Sequence, residues 1–464
     1  MTGWLEWVNA HIFGVFVPLF LLAAGLLFLF RLRRYLLVHP LRAVRTVLSA
    51  GSRRKGESVR ALCMALSGTL GVGNISGVAL AIALGGAGAI FWMWVSALLA
   101  MLLKYAEIVL AMAFRPAPLP DGGRIGGAMY YIRAALPGRC GRALAAFFSF
   151  LCIGGALTLG SMVQSGAIAE CMHGVFGIPP PAAGGVLFLL TAIVVFGGAK
   201  KISAITLRLI PAMTFLYIAL SLTVIFCNLD RLPAVIGRIF AEAFSPPAAA
   251  GGGAGFLSLL ALRFGVARGL LSNEAGCGTA PMAHATADNT PVAQGLCGIA
   301  EVFVDTLVLC SMTAFVVLLA FPVVPKGGGA MLAICAYSVF IGKGAGWMIA
   351  LSLFVFAYGT AVCWAYYGEN GVRYLLGNGV GVRRLYYFVF CLFLVVGSVF
   401  TSAFIWGLTD ALLSVMTVLN VTVLCLSADR VVVLTAKELP LAAPHARRKK
   451  AASPAVRAAH KSRM

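Results

Sequence analysis

The stretch that decides the fold is Ser67-Gly68-Thr69-Leu70-Gly71-Val72-Gly73-Asn74-Ile75-Ser76-Gly77, set inside an apolar run over 59–83. Four glycines and an asparagine sit where a membrane helix would be expected to continue, and each interior Gly costs a helix up to about 1 kcal/mol relative to Ala. Backbone that leaves the helix at membrane depth is tolerated only where it lines a cavity or is buried in protein. A second such run, Gly265, Gly269 and then Ser272-Asn273-Glu274-Ala275-Gly276-Cys277-Gly278, interrupts the apolar run over 253–285. Taken singly, either run also reads as small residues that let two helices pack closely. Taken as a pair, they ask for a common explanation.

The composition defines the solvent. Apolar types make up 61% of the 464 residues and charged types 11%, with a mean hydropathy of +0.96. A soluble domain carries roughly 25% charged residues and 45–50% apolar ones, so a water-soluble enzyme, a coiled coil and a disordered chain are all excluded. The formal charge of +21 suggests nucleic acid until its location is considered. Nine cations lie in 31–60 and nine more in 430–464. They flank apolar runs without interleaved aromatics, the pattern of Lys and Arg held on the cytoplasmic face of a membrane. The twelve cysteines show no ligand-like spacing and read as small hydrophobes.

A spanning helix needs roughly 20 mostly apolar residues. Eleven segments qualify: about 12–30, 59–83, 87–114, 144–172, 184–199, 209–227, 253–285, 295–320, 346–374, 385–401 and 403–428. The first ends in Arg31, Arg33 and Arg34 with no small-residue cleavage site, so it reads as an uncleaved span. Alternate connections then carry 29 cations on one side and only Arg231, Arg238, Lys326 and Lys343 on the other. This places the N-terminus outside and the C-terminus in the cytoplasm. The segment 328–341 is too short to span and reads as an external helix, while the basic tail reads as disordered and drawn to the membrane surface.

With the first span set aside, the two glycine-rich runs fall in core helices 1 and 6, the same position in two halves of five helices. Five is odd, so the second half must be inverted relative to the first. The chain divides accordingly into an extra N-terminal helix with its basic loop (1–58), a first repeat (59–227), a second inverted repeat (228–430) and the tail (431–464). Paired interrupted helices in corresponding halves point to a transporter's binding site. Half-helix N-termini near Gly73 and Asn273 offer free N–H groups to a carboxylate, and freed carbonyls can hold a cation. A small zwitterion with a co-transported cation suits such a site.

At this level the sequence resembles a known family. Residues 68–114 (GTLGVGNISGVALAIALGGAGAIFWMWVSALLAMLLKYAEIVLAMAF), 126–132 (GGAMYYI), 265–281 (GVARGLLSNEAGCGTAP), 301–310 (EVFVDTLVLC) and 356–369 (FAYGTAVCWAYYGE) look like the signature of the alanine/glycine:cation symporters, also called sodium:alanine symporters. The resemblance runs from about residue 4 to residue 430. It implies an all-helical five-plus-five inverted-repeat fold of the leucine-transporter type, and uptake of alanine or glycine driven by sodium or protons. It places the substrate carboxylate at the backbone of Gly71, Val72 and Gly73 beside Asn74, with Gln164 as a polar contact. Ser272, Asn273 and Gly276 would form the other wall, and Trp364 would cap the apolar side. For the cation it implies the carbonyls of Ser67 and Leu70 with the hydroxyl of Thr360, an all-oxygen set that suits sodium. Departures fall at Val72 and Gly359, where the family usually has hydroxyl residues, at Leu271 for a Phe, and at Ala87 and Ala128 for prolines.

Ionisable residues at membrane depth are functional candidates, because each is expensive there. Lys104 and Glu107, spaced i,i+3, are expected to pair on one helix face. Glu301 and Asp305 share a face and are expected either to bond Arg263 or Arg268 or to handle protons. Glu274 reads as a gate or scaffold residue, Glu369 and Asp410 as structural, Trp92 and Trp94 as interfacial anchors, and His284 as a lone histidine or proton relay. No GxSxG, HExxH or paired His/Asp metal pattern supports a membrane-embedded enzyme. The reading is therefore a secondary active symporter in a bacterial cell membrane, the inner one where there are two. It has no cofactor and no nucleic-acid partner, functions as a monomer, and takes sodium, or alternatively protons, with a small neutral amino acid. A sensor that binds without transporting is the remaining rival.

Overall fold

The computed structural model describes residues 7–36, 52–119, 122–244, 253–325, 329–400 and 403–439. Every regular element among these residues is helical. Residues 37–51, Lys326 and the basic tail from 440 onward, on which several sequence expectations fall, lie outside them.

Eight helical stretches among the described residues are long and apolar enough to cross a membrane, and a ninth crossing arises if one bent pair counts as a single span. Many of their outward side chains are large and apolar, such as Phe30, Phe215 and Leu426 at 64–75% exposure, as expected when the surrounding solvent is lipid. The opening helix α1 (Gly14–Leu36) packs against α4 (Gly88–Ala113) and α18 (Ala403–Leu426). Helices α2 (Ser52–Thr69) and α3 (Val78–Gly85) form the bent pair, turning by 51° at the glycine-rich run. Between them Gly73–Gly77 forms a π-helical turn.

Helix α5 (Ala128–Ala135) leads into one long crossing made of α6 (Gly138–Gly155), a π-helical stretch (Ala156–Val163) and α7 (Gln164–Phe176). Helix α8 (Pro180–Val195) follows, then α9 (Gly198–Phe226) and the short α10 (Leu232–Ala243). Helix α11 (Gly253–Asn273) stops at the second glycine-rich run, and α12 (Ala280–His284) resumes after it. Another compound crossing joins α13 (Pro291–Val302), a π-helical stretch (Phe303–Cys310) and α14 (Ser311–Ala320). The remainder is α15 (Gly329–Ile341), α16 (Lys343–Leu376), α17 (Val380–Val399), α18 and α19 (Ala428–Glu438).

Two of the eleven expected spans do not meet the length and hydropathy expected of a crossing. Helix α8 has only 16 residues. The segment 253–285 is divided by its break, and its longer half carries Arg263 and Arg268. The expected short helix near 328–341 is present as α15, packed against α14 and α16.

Candidate functional site

The first break is built by diverting backbone groups. The Gly71 N–H bonds Thr69 O at 2.9 Å and Asn74 Oδ1 at 3.1 Å. The Val72 N–H turns to Gln164 Oε1 at 3.3 Å. The helical acceptors upstream are thereby released, and the Ser67 carbonyl instead receives the Thr360 hydroxyl at 2.9 Å. Gly71 is required here, because a Cβ would stand 2.5 Å from Thr360 Oγ1 and 3.1 Å from Gln164 Oε1. Ser67 Oγ is buried without a partner, and a Cβ on Gly359 would lie 2.8 Å from it.

The second break follows Asn273. Glu274 is the one non-glycine residue among those described with a left-handed backbone, at φ 52°, followed by Gly276 at 87° and Gly278 at 79°. Such a conformation at a non-Gly residue persists only when its surroundings hold it. They do: Glu274 Oε1 accepts from Trp364 Nε1 at 2.7 Å, and Oε2 accepts from Thr279 Oγ1 at 2.7 Å.

The two breaks are joined by one buried carboxylate. Asp305 Oδ1 accepts from Asn74 Nδ2 at 2.7 Å, and Oδ2 accepts from Ser272 Oγ at 2.8 Å and Thr306 Oγ1 at 2.7 Å. Asn273 Nδ2 in turn donates to Thr306 Oγ1 at 3.2 Å. The π-helical stretch of Phe303–Cys310 is what presents Asp305 to both breaks, and such local widening is frequent at functional sites.

A narrow cavity of about 10 Å³ opens at this junction. Gly71, Val72, Gly73, Gln164, Glu274 and Thr360 line it, so these expected site residues are brought together. Asn74, Ser272 and Asn273 stand behind the wall in the Asp305 cluster, and Ser67 joins through its bond to Thr360. Leu70 is buried beside them without reaching the cavity, and the Gly276 carbonyl is taken by Asn420 Nδ2 at 2.9 Å. Trp364 is fully buried behind the lining, its Cβ only 2.3 Å from where a Cβ on Gly160 would be. The tryptophan on the cavity is instead Trp406, with Leu159, Val163 and Leu271 completing the apolar wall and Gly68 and Thr69 beside them. Nothing in the sequence around Trp406 separates it from an interfacial aromatic. The lining offers hydrogen-bonding groups and an apolar wall, with no nucleophile paired to a base.

The buried charges are arranged differently from the local pairing expected. Lys104 Nζ bonds Glu301 Oε1 at 3.2 Å, rather than Glu107. Glu107 Oε1 accepts from the Gly278 N–H at 2.9 Å and from Asn420 Nδ2 at 2.5 Å. The partner of Glu301 Oε2 is His284 Nε2 at 2.9 Å, so neither Glu301 nor Asp305 bonds Arg263 or Arg268. His284 is not alone, since Gln294 Nε2 also donates to its Nδ1 at 2.7 Å. Helix α4 turns Lys104 toward α13 across a packed interface, where a partner distant in sequence is nearer than the residue one turn along. Trp94 Nε1 donates to Ser311 Oγ at 2.7 Å. Glu369 holds Arg373, Arg383 and Tyr387 together at 2.5–2.7 Å.

Comparison with known proteins agrees with this architecture. A Na+-coupled sialic acid symporter, solved substrate-bound and outward-open, superposes with a TM-score of 0.52 at 14% identity, covering 93% of this chain and 98% of that one. At that identity the likeness is one of fold. The sodium/alanine symporter AgcS of Methanococcus maripaludis is 36% identical over 437 residues, 92% of this chain and 94% of its own length. The amino-acid carrier protein AlsT of Bacillus subtilis is 34% identical over 375 residues, 80% of this chain and 78% of its own. Residues 1–439 match the sodium:alanine symporter family as a whole. This multi-pass membrane protein therefore belongs to the sodium:alanine symporter family.

Proposed function

We propose that the chain takes up a small neutral amino acid, alanine or glycine, together with sodium, by alternating access. The observation that carries the reading is the bare Gly71, which brings the released Ser67 carbonyl, the Thr360 hydroxyl and the Gln164 carboxamide to one point of a broken helix. Amino-acid carboxylate would meet the backbone of Gly71, Val72 and Gly73 with Gln164 beside it, while Trp406 and Leu271 bound the side chain. Sodium would sit by Ser67, Leu70 and Thr360. Asn74, Ser272 and Asn273 then connect that occupancy to Asp305, so that both breaks respond to it. The narrowness of the cavity favours a small ligand.

Within this reading the chain crosses the membrane eleven times, with α8 and the divided 253–285 segment among the crossings. The halves 59–227 and 228–430 form an inverted repeat behind the extra helix of 1–58. The N-terminus is outside, the basic loops and tail are cytoplasmic, and the monomer in the cell membrane is the transporting unit. Relatives at about a third identity carry names with sodium and alanine, which supports the assignment of cargo.

One observation favours protons as an alternative coupling ion. Glu107, Glu274, Glu301 and Asp305 are all buried at 0–1% exposure, with Lys104 as the one buried Lys or Arg among the described residues. Unpaired charge at such depth is costly, so protons held in this group would be a reserve for coupling. Uptake of labelled L-alanine into proteoliposomes separates the readings, with an inward sodium gradient, an inward proton gradient, or neither. Accumulation with sodium alone is expected. Accumulation only with protons would move coupling to the carboxylates, and none under either gradient for alanine, glycine or serine would sink the symporter reading.

A further inference from the structure

A second cavity of about 100 Å³ lies between α1, α11 and α18, and it shares Leu271 as a common wall with the narrower one. Its polar lining consists of Asn9, Arg263, Arg268, Asp410 and Ser414. Two of these present buried atoms with no partner: the acceptor Asn9 Oδ1 and the donor Arg268 Nε. Buried polar atoms are nearly always satisfied, and unsatisfied ones ask for an occupant. Asp410 stands 4.0 Å from the Arg268 guanidinium, at the outer limit of an ion pair, so the two are not closed on each other. Gly14 leaves room for Arg263, whose Nε would be 2.6 Å from a Cβ at that position. The Arg268 guanidinium also lies over the ring of Trp406, 5.7 Å from its centre, and Trp406 is on the wall of the central cavity.

We propose that this second cavity is an antechamber that binds the amino-acid zwitterion before it enters the central site. The chemistry is complementary at both ends. Arg268 Nε with the neighbouring Arg263 guanidinium receives a carboxylate, and Asn9 Oδ1 with Asp410 receives an ammonium group. Arginine's fixed fork of donors suits a planar carboxylate. Asn9 is held in place because its Nδ2 already donates to Gly407 O at 2.7 Å. A ligand drawn to Arg268 would displace the guanidinium from Trp406, which frees Trp406 on the central cavity to move away from the shared Leu271. The assignment rests on the amino-acid reading above, and it gives the extra N-terminal helix a part in binding.

The test is equilibrium binding of tritiated L-alanine to the full chain in nanodiscs. Two molecules per chain are expected for the wild type. Arg268→Gln and Asn9→Leu should each remove one and leave the other's affinity within twofold, whereas Gln164→Leu should remove the other. One molecule per chain, lost in Gln164→Leu and unchanged in Arg268→Gln, overturns the antechamber and leaves the amino-acid reading standing. No binding to the wild type overturns both. Propionate separates a zwitterion site from a plain anion site: it should displace antechamber alanine poorly, and displacement as strong as by alanine itself overturns the role given to Asn9 and Asp410. Arg268→Lys guards against a folding artefact, since it keeps the charge and stem while losing Nε. In uptake it should raise KM about tenfold, the loss of one charged hydrogen bond, with Vmax within twofold, and an unchanged KM overturns the proposal.

Discussion

The Thr360 hydroxyl donates to the Ser67 carbonyl at 2.9 Å, joining two helices 293 positions apart at the point where the first of them breaks. A bond of this kind is what a cation would have to share or replace on entering. The released carbonyl, the hydroxyl and the bare glycine beside them form one unit.

Thr360→Val keeps the shape of that unit and removes its hydroxyl. A buried carbonyl left without its donor costs about 1–3 kcal/mol. Sodium half-saturation of alanine uptake should rise about tenfold, while uptake at saturating sodium recovers toward wild type, as read in proteoliposomes over a sodium series. A change below twofold would remove Thr360 from the cation site.

Gly71→Ala places a methyl 2.5 Å from Thr360 Oγ1 and 3.1 Å from Gln164 Oε1, so both groups must shift from the bonds they make to Ser67 and Val72. Uptake should fall to background although the protein inserts in normal amount, since the surrounding helices are untouched. Membrane yield and transport measured on the same preparation check this, and uptake above half of wild type would contradict the geometry.

Gly359→Ser offers a partner to the stranded Ser67 hydroxyl. The new Cβ would approach Ser67 Oγ to 2.8 Å, a distance relieved by rotating a small side chain, with Ile210 Cδ1 next at 3.2 Å. Satisfying the orphaned hydroxyl is worth about 1 kcal/mol, so the variant should be more heat-resistant than wild type. It should also saturate at lower sodium, because one more oxygen faces the released carbonyl. Higher sodium demand would show that the glycine is tuned to the present ion.

Lys104→Met strands Glu301 in a dry interior, and breaking a buried pair in this way costs about 3–5 kcal/mol. Glu301→Gln added to it restores neutrality and keeps an acceptor for His284. Thermal unfolding in nanodiscs should show a large loss for the single variant and recovery of at least half in the double. Equal losses for both would mean that packing, and not charge, dominates at this interface.

Both helix breaks were legible in the sequence because glycine and asparagine are expensive in a helix interior wherever they fall. The short run around Gly71 thus announces itself without knowledge of its neighbours. Lys104 was not legible in the same way. Its partner is 197 positions distant, and the choice of Glu301 over Glu107 is made by how α4 and α13 pack. Trp406 was missed for a related reason, since an aromatic near a span end looks the same whether it faces headgroups or a cavity. Nine of the eleven apolar runs read as spans correspond, among the described residues, to helical stretches long and apolar enough to cross a membrane, counting the bent pair as one, whereas the run at α8 gives a helix of only 16 residues and 253–285 is divided by its break.

Gly276 sits so close to its neighbours that a Cβ would lie 2.9 Å from Leu21 Cδ2 and 3.0 Å from Val421 Cγ2. Lipid gives helices no hydrophobic reason to stay together, so contacts in a bilayer depend on close fit. A fit this tight leaves less than a methyl group of play between the second break, α1 and α18. Any displacement of the break is therefore transmitted sideways into both helices, and a chain shortened to begin after α1 would lose one of the two surfaces against which that break bears.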